Sequence, residues 1–123
     1  MQPVLSILGR LLISAIFFLS GLHKLADTEK TVAAMEAHNI PLSGLLVYAA
    51  AALEIVGALM VALGFKARFG AMLLIVFLIP TTFIFHPPFA DPMQQIQFLK
   101  NLSILGGLVL ILRFGSGDLS IKA

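Results

Sequence analysis

Apolar residues dominate this chain in four long runs, at about 4–26, 42–63, 69–85 and 95–112, with short polar stretches between them. Each run is near the ~20 residues a helix needs to cross a hydrocarbon core of about 30 Å. The pattern predicts an all-α membrane protein, an antiparallel four-transmembrane-helix bundle formed by residues 1–123 as one domain. The most polar stretch, DTEKTVAAMEAHNIP, follows the first run. Asp27 or Thr28 suits a helix start, Glu29 its first turn, and Pro41 its end or the start of the next span. Val32 and Met35 lie apart from Glu29 and Glu36, so the stretch reads as a short interfacial helix between spans one and two. A plain loop is the alternative.

Punctuation within the runs is consistent with this reading. Gly64 is placed to stop span two, and FKAR, residues 65–68, makes a tight basic turn. Pro80 removes a helix hydrogen bond in the last third of span three and is expected to kink it, with Thr81 and Thr82 able to serve the freed groups. HPPFADP, residues 86–92, is expected to separate spans three and four, and GSGDLSIKA to form a short flexible tail. Many span residues are small, among them Gly21, Ala49 to Ala52, Gly57, Gly70, Gly106 and Gly107. Small residues let membrane helices approach closely. No internal repeat of the kind that builds two-fold transporters is visible.

Polar residues inside the runs carry the candidate chemistry. Arg10, Ser14, Phe17, Gly21 and Lys24 step by four and three and share one helix face. On span two, Val47, Ala50, Glu54, Gly57, Ala58 and Val61 share another, with the carboxylate near the span centre. On span four, Gln97, Lys100 and Asn101 form a third. Charges within a span are costly and usually face the bundle interior with partners. Levelling the ends of the first two spans brings Arg10 within about two turns of Glu54, so an Arg10–Glu54 pair is expected. The three faces predict a cavity with Lys24 and Lys100 at its rim and Glu54 and Arg10 at its floor. The bland reading of each cation is a side chain snorkelling to headgroups. The bland reading of the pair is structural glue.

Composition narrows the classes. The 123 residues are 59% hydrophobic and 11% charged, with mean hydropathy +1.04, far from the roughly half apolar and quarter charged of soluble domains. Cysteine is absent, which excludes thiol catalysis, thiolate metal sites and covalent haem attachment by this chain alone. His23, His38 and His86 do not suggest a metal site. No nucleophile–base arrangement or phosphate loop is visible, no cofactor is evident, and the scattered basic residues do not suggest nucleic acid. The first residues, MQPVLSILG, lack the charge of a signal-peptide n-region, and no A-x-A-like site follows the run.

The sequence resembles the DoxX family of small bacterial four-span membrane proteins. The likeness rests on Arg10, Gly21 and Lys24 with the stretch through Pro41, on ExxGALMVALGFxxR containing Glu54, Gly57, Gly64 and Arg68, and on FxKNLSILGG containing Phe98, Lys100, Asn101, Gly106 and Gly107. It implies a multi-pass inner-membrane protein. The family takes its name from a subunit of an archaeal thiosulfate:quinone oxidoreductase, and some relatives are linked to thiol or oxidative stress and to quinone responses. The resemblance therefore implies a hydrophobic ligand such as a quinone, or a place as membrane subunit of a redox or stress-response complex with a soluble or membrane redox partner. In the quinone version, Glu54 exchanges protons, Arg10 is its charge partner, and Lys24 and Lys100 hydrogen-bond the ligand. A non-catalytic assembly or anchoring protein and a small carrier or channel built as a homo-oligomer are the alternatives. Whether the chain is itself an enzyme stays open.

Basic residues set the expected orientation. Arg10, Lys66, Arg68, Arg113 and Lys122 fall at one end, against Asp27, Glu29, Glu36 and Asp91 with Lys30 at the other. The positive-inside rule then places both termini in the cytoplasm. Since the chain has no native cysteine, Lys30→Cys should react with an impermeant maleimide on intact cells, and Lys66→Cys only after lysis. The reverse pattern would invert the bundle.

Overall fold

The computed structural model describes residues 2–87, 89 and 91–116. Five helices follow in order: α1 (Gln2–Ala26), α2 (Thr28–Ala37), α3 (Ser43–Leu63), α4 (Ala67–Phe85) and α5 (Pro92–Phe114). The long ones, α1, α3, α4 and α5, are each long and apolar enough to cross a membrane. Leu and Ile side chains cover much of their outer surface, among them Leu12, Ile16, Leu45 and Leu110. Such a surface is stable against lipid and unsuited to water. The tail residues 117–123, Lys122 included, lie outside the described residues.

Local chemistry sets the helix ends. The Asp27 carboxylate accepts a hydrogen bond from the Lys30 amide and caps α2, satisfying an amide that the first turn leaves without an intrahelical partner. The short amphipathic stretch is thus a helix, not a plain loop, and it buries Met35. Asp91 caps α5 in the same way through the Gln94 amide, with Pro92 in the first turn. Proline suits that position because its missing N–H would be unpaired there anyway. Span four therefore starts three residues before the expected 95. Between α3 and α4 the chain reverses within Gly64–Lys66, using left-handed conformations at Gly64 (φ 74°) and Lys66 (φ 46°). α4 runs on through Pro80. The hydroxyls of Thr81 and Thr82 bond the carbonyls of Phe77 and Leu78, not the Val76 carbonyl that Pro80 leaves unserved.

The spans pack in the sequence α1–α3–α4–α5, with a sparser contact returning from α5 to α1. Phe17, Ala58, Val61, Ala71, Leu74, Leu78 and Leu108 form the core where they meet. Glycine sets how near the helices come. A β-carbon at Gly57 would lie 2.8 Å from Leu74 Cγ and 3.1 Å from the Gly70 carbonyl, and one at Gly70 would lie 2.7 Å from Met60 Cβ. The two glycines face each other across α3 and α4, and backbone rests on backbone. A β-carbon at Gly21 would lie 2.5 Å from Ile55 Cγ1 and 3.2 Å from the Ala51 carbonyl, which fixes the register of α1 on α3. Gly106 differs, with nothing within 4 Å of its β position.

Gly57→Leu should therefore cost at least the ~1–3 kcal/mol typical of an overpacked core, read as a lower unfolding midpoint in detergent. Gly106→Ala should stay within about 0.5 kcal/mol of the parent. Equal tolerance at both positions would mean that the α3–α4 contact is not as close as described.

Candidate functional site

The face of α1 that runs through Arg10, Ser14, Phe17, Gly21 and Lys24 is turned into the protein. Arg10, Ser14 and Phe17 are almost fully buried and Lys24 is half-buried. On α3 the buried stripe is Val47, Ala51, Glu54, Gly57, Ala58 and Val61, with Ala51 rather than Ala50 as its innermost alanine. Glu54 retains only 2% of its surface.

The partner of Glu54 is Lys24. Its ammonium lies 2.5 Å from Glu54 Oε1, donates a second hydrogen bond to Ser20 Oγ at 2.9 Å, and sits 5.2 Å from the centre of the Phe77 ring. The expected Arg10–Glu54 pair is not formed, and the reason is register. Gly21 docks on the α3 turn from Ala51 to Ile55, so Glu54 stands level with the last turns of α1. Arg10 lies eleven residues before Gly21, about 16 Å along the helix, beyond the reach of its side chain. The expectation levelled the ends of the two spans, whereas α3 overhangs α1 on the side where α2 folds against it. Arg10 is buried at the opposite end of α1, with 4% of its surface exposed.

The ion pair is asymmetric. Lys24 keeps 17% of its side chain exposed against 2% for Glu54. The ammonium is thus the reachable member, and the carboxylate is sealed behind it. Its surroundings are apolar and aromatic, which strengthens a charge-assisted hydrogen bond and raises the cost of losing either partner. Phe77 adds a ring face to the cation.

The third face is only partly assembled. Asn101 is half-buried and its amide donates to Thr82 Oγ1 at 3.0 Å, tying α5 to α4. Gln97 is half-buried on the same side. Lys100 is exposed and does not join the others. Spacing of three and four puts these residues within a turn of one another, but α5 buries a narrow stripe, with Leu108 as its one fully buried residue. Lys100 falls just outside that stripe. Ser20, Phe77 and Thr82 complete the constellation and were not expected in it. Ser20 was legible, one turn before Lys24. Phe77 carries no signal that sets it apart from the other phenylalanines.

His86 ends α4, and its Nδ1 lies 2.6 Å from Gln94 Oε1. His38 closes α2 and packs its ring on Phe85. Among the described residues no group of three or more histidine or acidic side chains is placed to hold a metal ion.

The model of the DoxX family matches residues 5–87, which contain Arg10, Lys24, Glu54 and the Gly57–Gly70 contact. The chain belongs to the DoxX family. Its relatives include two inner membrane proteins of Escherichia coli (strain K12). It is 32% identical to YqjF over 98% of this chain and 92% of the relative, and 30% identical to YphA over 98% of this chain and 89% of the relative. No solved structure matches. The match and the four apolar helices together make this an integral, multi-pass protein of the inner membrane. The family model ends before α5, whereas both relatives align across nearly the whole chain.

The asymmetry of this DoxX protein's ion pair has a measurable consequence. Lys24→Met strands a sealed carboxylate and should cost about 3–5 kcal/mol, the usual loss when one member of a buried pair is removed. Glu54→Gln leaves the ammonium, which can turn outward, and should cost clearly less. Lys24→Met with Glu54→Leu should recover much of the loss, because no charge is then left buried. Thermal unfolding of the three variants in one detergent is the measurement. Equal effects of the two single variants would contradict the asymmetry.

Proposed function

We propose that this DoxX protein binds a hydrophobic small molecule of the quinone class at the Lys24–Glu54 pair, acting as a membrane subunit of a redox or stress-response system. One observation carries the reading: an ammonium kept partly accessible, over an aromatic ring, with a sealed carboxylate behind it. Ionisable groups inside a span are costly and tend to mark functional sites. A quinone carbonyl oxygen accepts a hydrogen bond, which the Lys24 ammonium donates. The flat ring suits Phe77 and Phe17. Glu54 is the group that takes up or releases a proton, through Lys24 and Ser20. Gln97 and Asn101 on α5 are the amides nearest in kind for a second carbonyl. Arg10 has no part at the ligand in this arrangement, and neither has Lys100. Electrons would come from a partner protein; the chain carries no cysteine to relay them.

A structural role is the second reading, and a specific observation favours it. The pair is satisfied within the protein, with Ser20 taking the ammonium's second bond, as glue between α1 and α3 requires.

Binding of decylubiquinone separates the two. On the quinone reading it raises the unfolding temperature of the wild type. Glu54→Gln, folded but with the charge partner of Lys24 gone, binds it about tenfold more weakly, the worth of one good hydrogen bond. Absence of any shift in the wild type, with Glu54→Gln merely less stable, supports the structural role and removes the quinone.

A further inference from the structure

Beyond the close contact at Gly21, α1 and α3 face each other with small residues. Ser14 and Ala15 on α1 oppose Ala58 and Ala62 on α3, and a crevice of about 240 Å³ opens between them, walled by Leu11 and Phe18. Its chemistry excludes most ligands. The hydroxyl of Ser14 is spent on the Leu11 carbonyl, 3.2 Å away, so the one polar group of the lining makes no demand on an occupant. The volume falls below the ~300–1,000 Å³ of whole-ligand pockets. A crevice this small, apolar and set in the side of a membrane bundle fits a length of one acyl chain.

The charge at its end says which lipid. The crevice lies toward the end of the bundle where α1 starts and α3 stops. Lys66 follows Ala62 by four residues, is exposed, and makes no ion pair among the described residues. Arg68 and Arg113 stand exposed at the same end, where the Arg68 guanidinium packs on Gly115. Among the described residues this end presents these three exposed cations and no carboxylate: Asp27, Glu29, Glu36 and Asp91 are all at the other end. Cations beside a bilayer surface attract anionic headgroups.

We propose that this face is a binding site for an anionic phospholipid of the bilayer, with an acyl chain in the α1–α3 crevice and the headgroup phosphate on Lys66. It is separate from the Lys24–Glu54 pair, and neither reading depends on the other.

Native mass spectrometry of the full chain, with equal phosphatidylglycerol and phosphatidylethanolamine added in mild detergent, tests it. The wild type should retain mainly phosphatidylglycerol. Ala15→Phe fills the crevice from an exposed position and should abolish the adduct. Lys66→Gln should keep an adduct but lower the preference for phosphatidylglycerol about fivefold, the worth of one cation near an anionic surface. Should Ala15→Phe fail to fold, Ala62→Leu blocks the crevice from the opposite wall. Equal retention of the two lipids by the wild type would overturn the proposal. So would an adduct that survives crevice filling, a preference indifferent to Lys66, or a dimer of the chain in place of lipid adducts.

Discussion

A carboxylate and an ammonium inside a bundle surrounded by lipid tolerate few arrangements. Glu54 is too central and too short to reach water, so its charge must be met within the protein, and Lys24 meets it. That pairing needs α1 and α3 in one register. Gly21 supplies it by letting α3 come close enough for Ile55 to sit where a side chain would otherwise be. The remaining packing is compatible with this demand. Gly57 and Gly70 bring α4 against α3, which carries Phe77 to the ammonium. Asn101 and Thr82 then hold α5 to α4.

Lipid gives helices no hydrophobic reason to associate, so close packing and polar contacts must hold this bundle together. The division of labour is visible along the chain. At the α3–α4 contact, glycine and alanine bring backbones together. At α1–α3 an ion pair adds strength and specificity. The contact of α5 with α1 is sparser, and α5 buries little of itself. The Lys24–Glu54 pair and the α1–α3 crevice are where a small molecule and a lipid are proposed to bind.

Much of the architecture was legible because a membrane imposes simple rules on a sequence. Length and apolarity alone marked the four spans, and Asp27, Gly64 and Pro41 marked their surroundings. The inward face of α1 followed from a spacing of three and four. A propensity argument could not choose between helix and loop for residues 28–37, because a ten-residue amphipathic segment is marginal without tertiary support. Burial of Met35 supplies that support. Lys100 is exposed for a related reason. Periodicity names a face to within a turn, and only the width of the buried stripe on α5 decides which neighbours of Asn101 fall inside it.

The sequence by itself determined that the chain spans a membrane, how often, with which helix faces inward, and that Glu54 requires a cation. These follow from composition and from the fixed geometry of one helix. It could not choose between Arg10 and Lys24 as that cation, since both lie on the same face of α1 and differ only in height. Height is set by how far one helix slides against another, and a shift of about four turns exchanges one partner for the other. The tertiary structure decided it through the overhang of α3 and the seat of Gly21 on Ala51 and Ile55. Contacts between helices distant in sequence carry that information, and no single segment does.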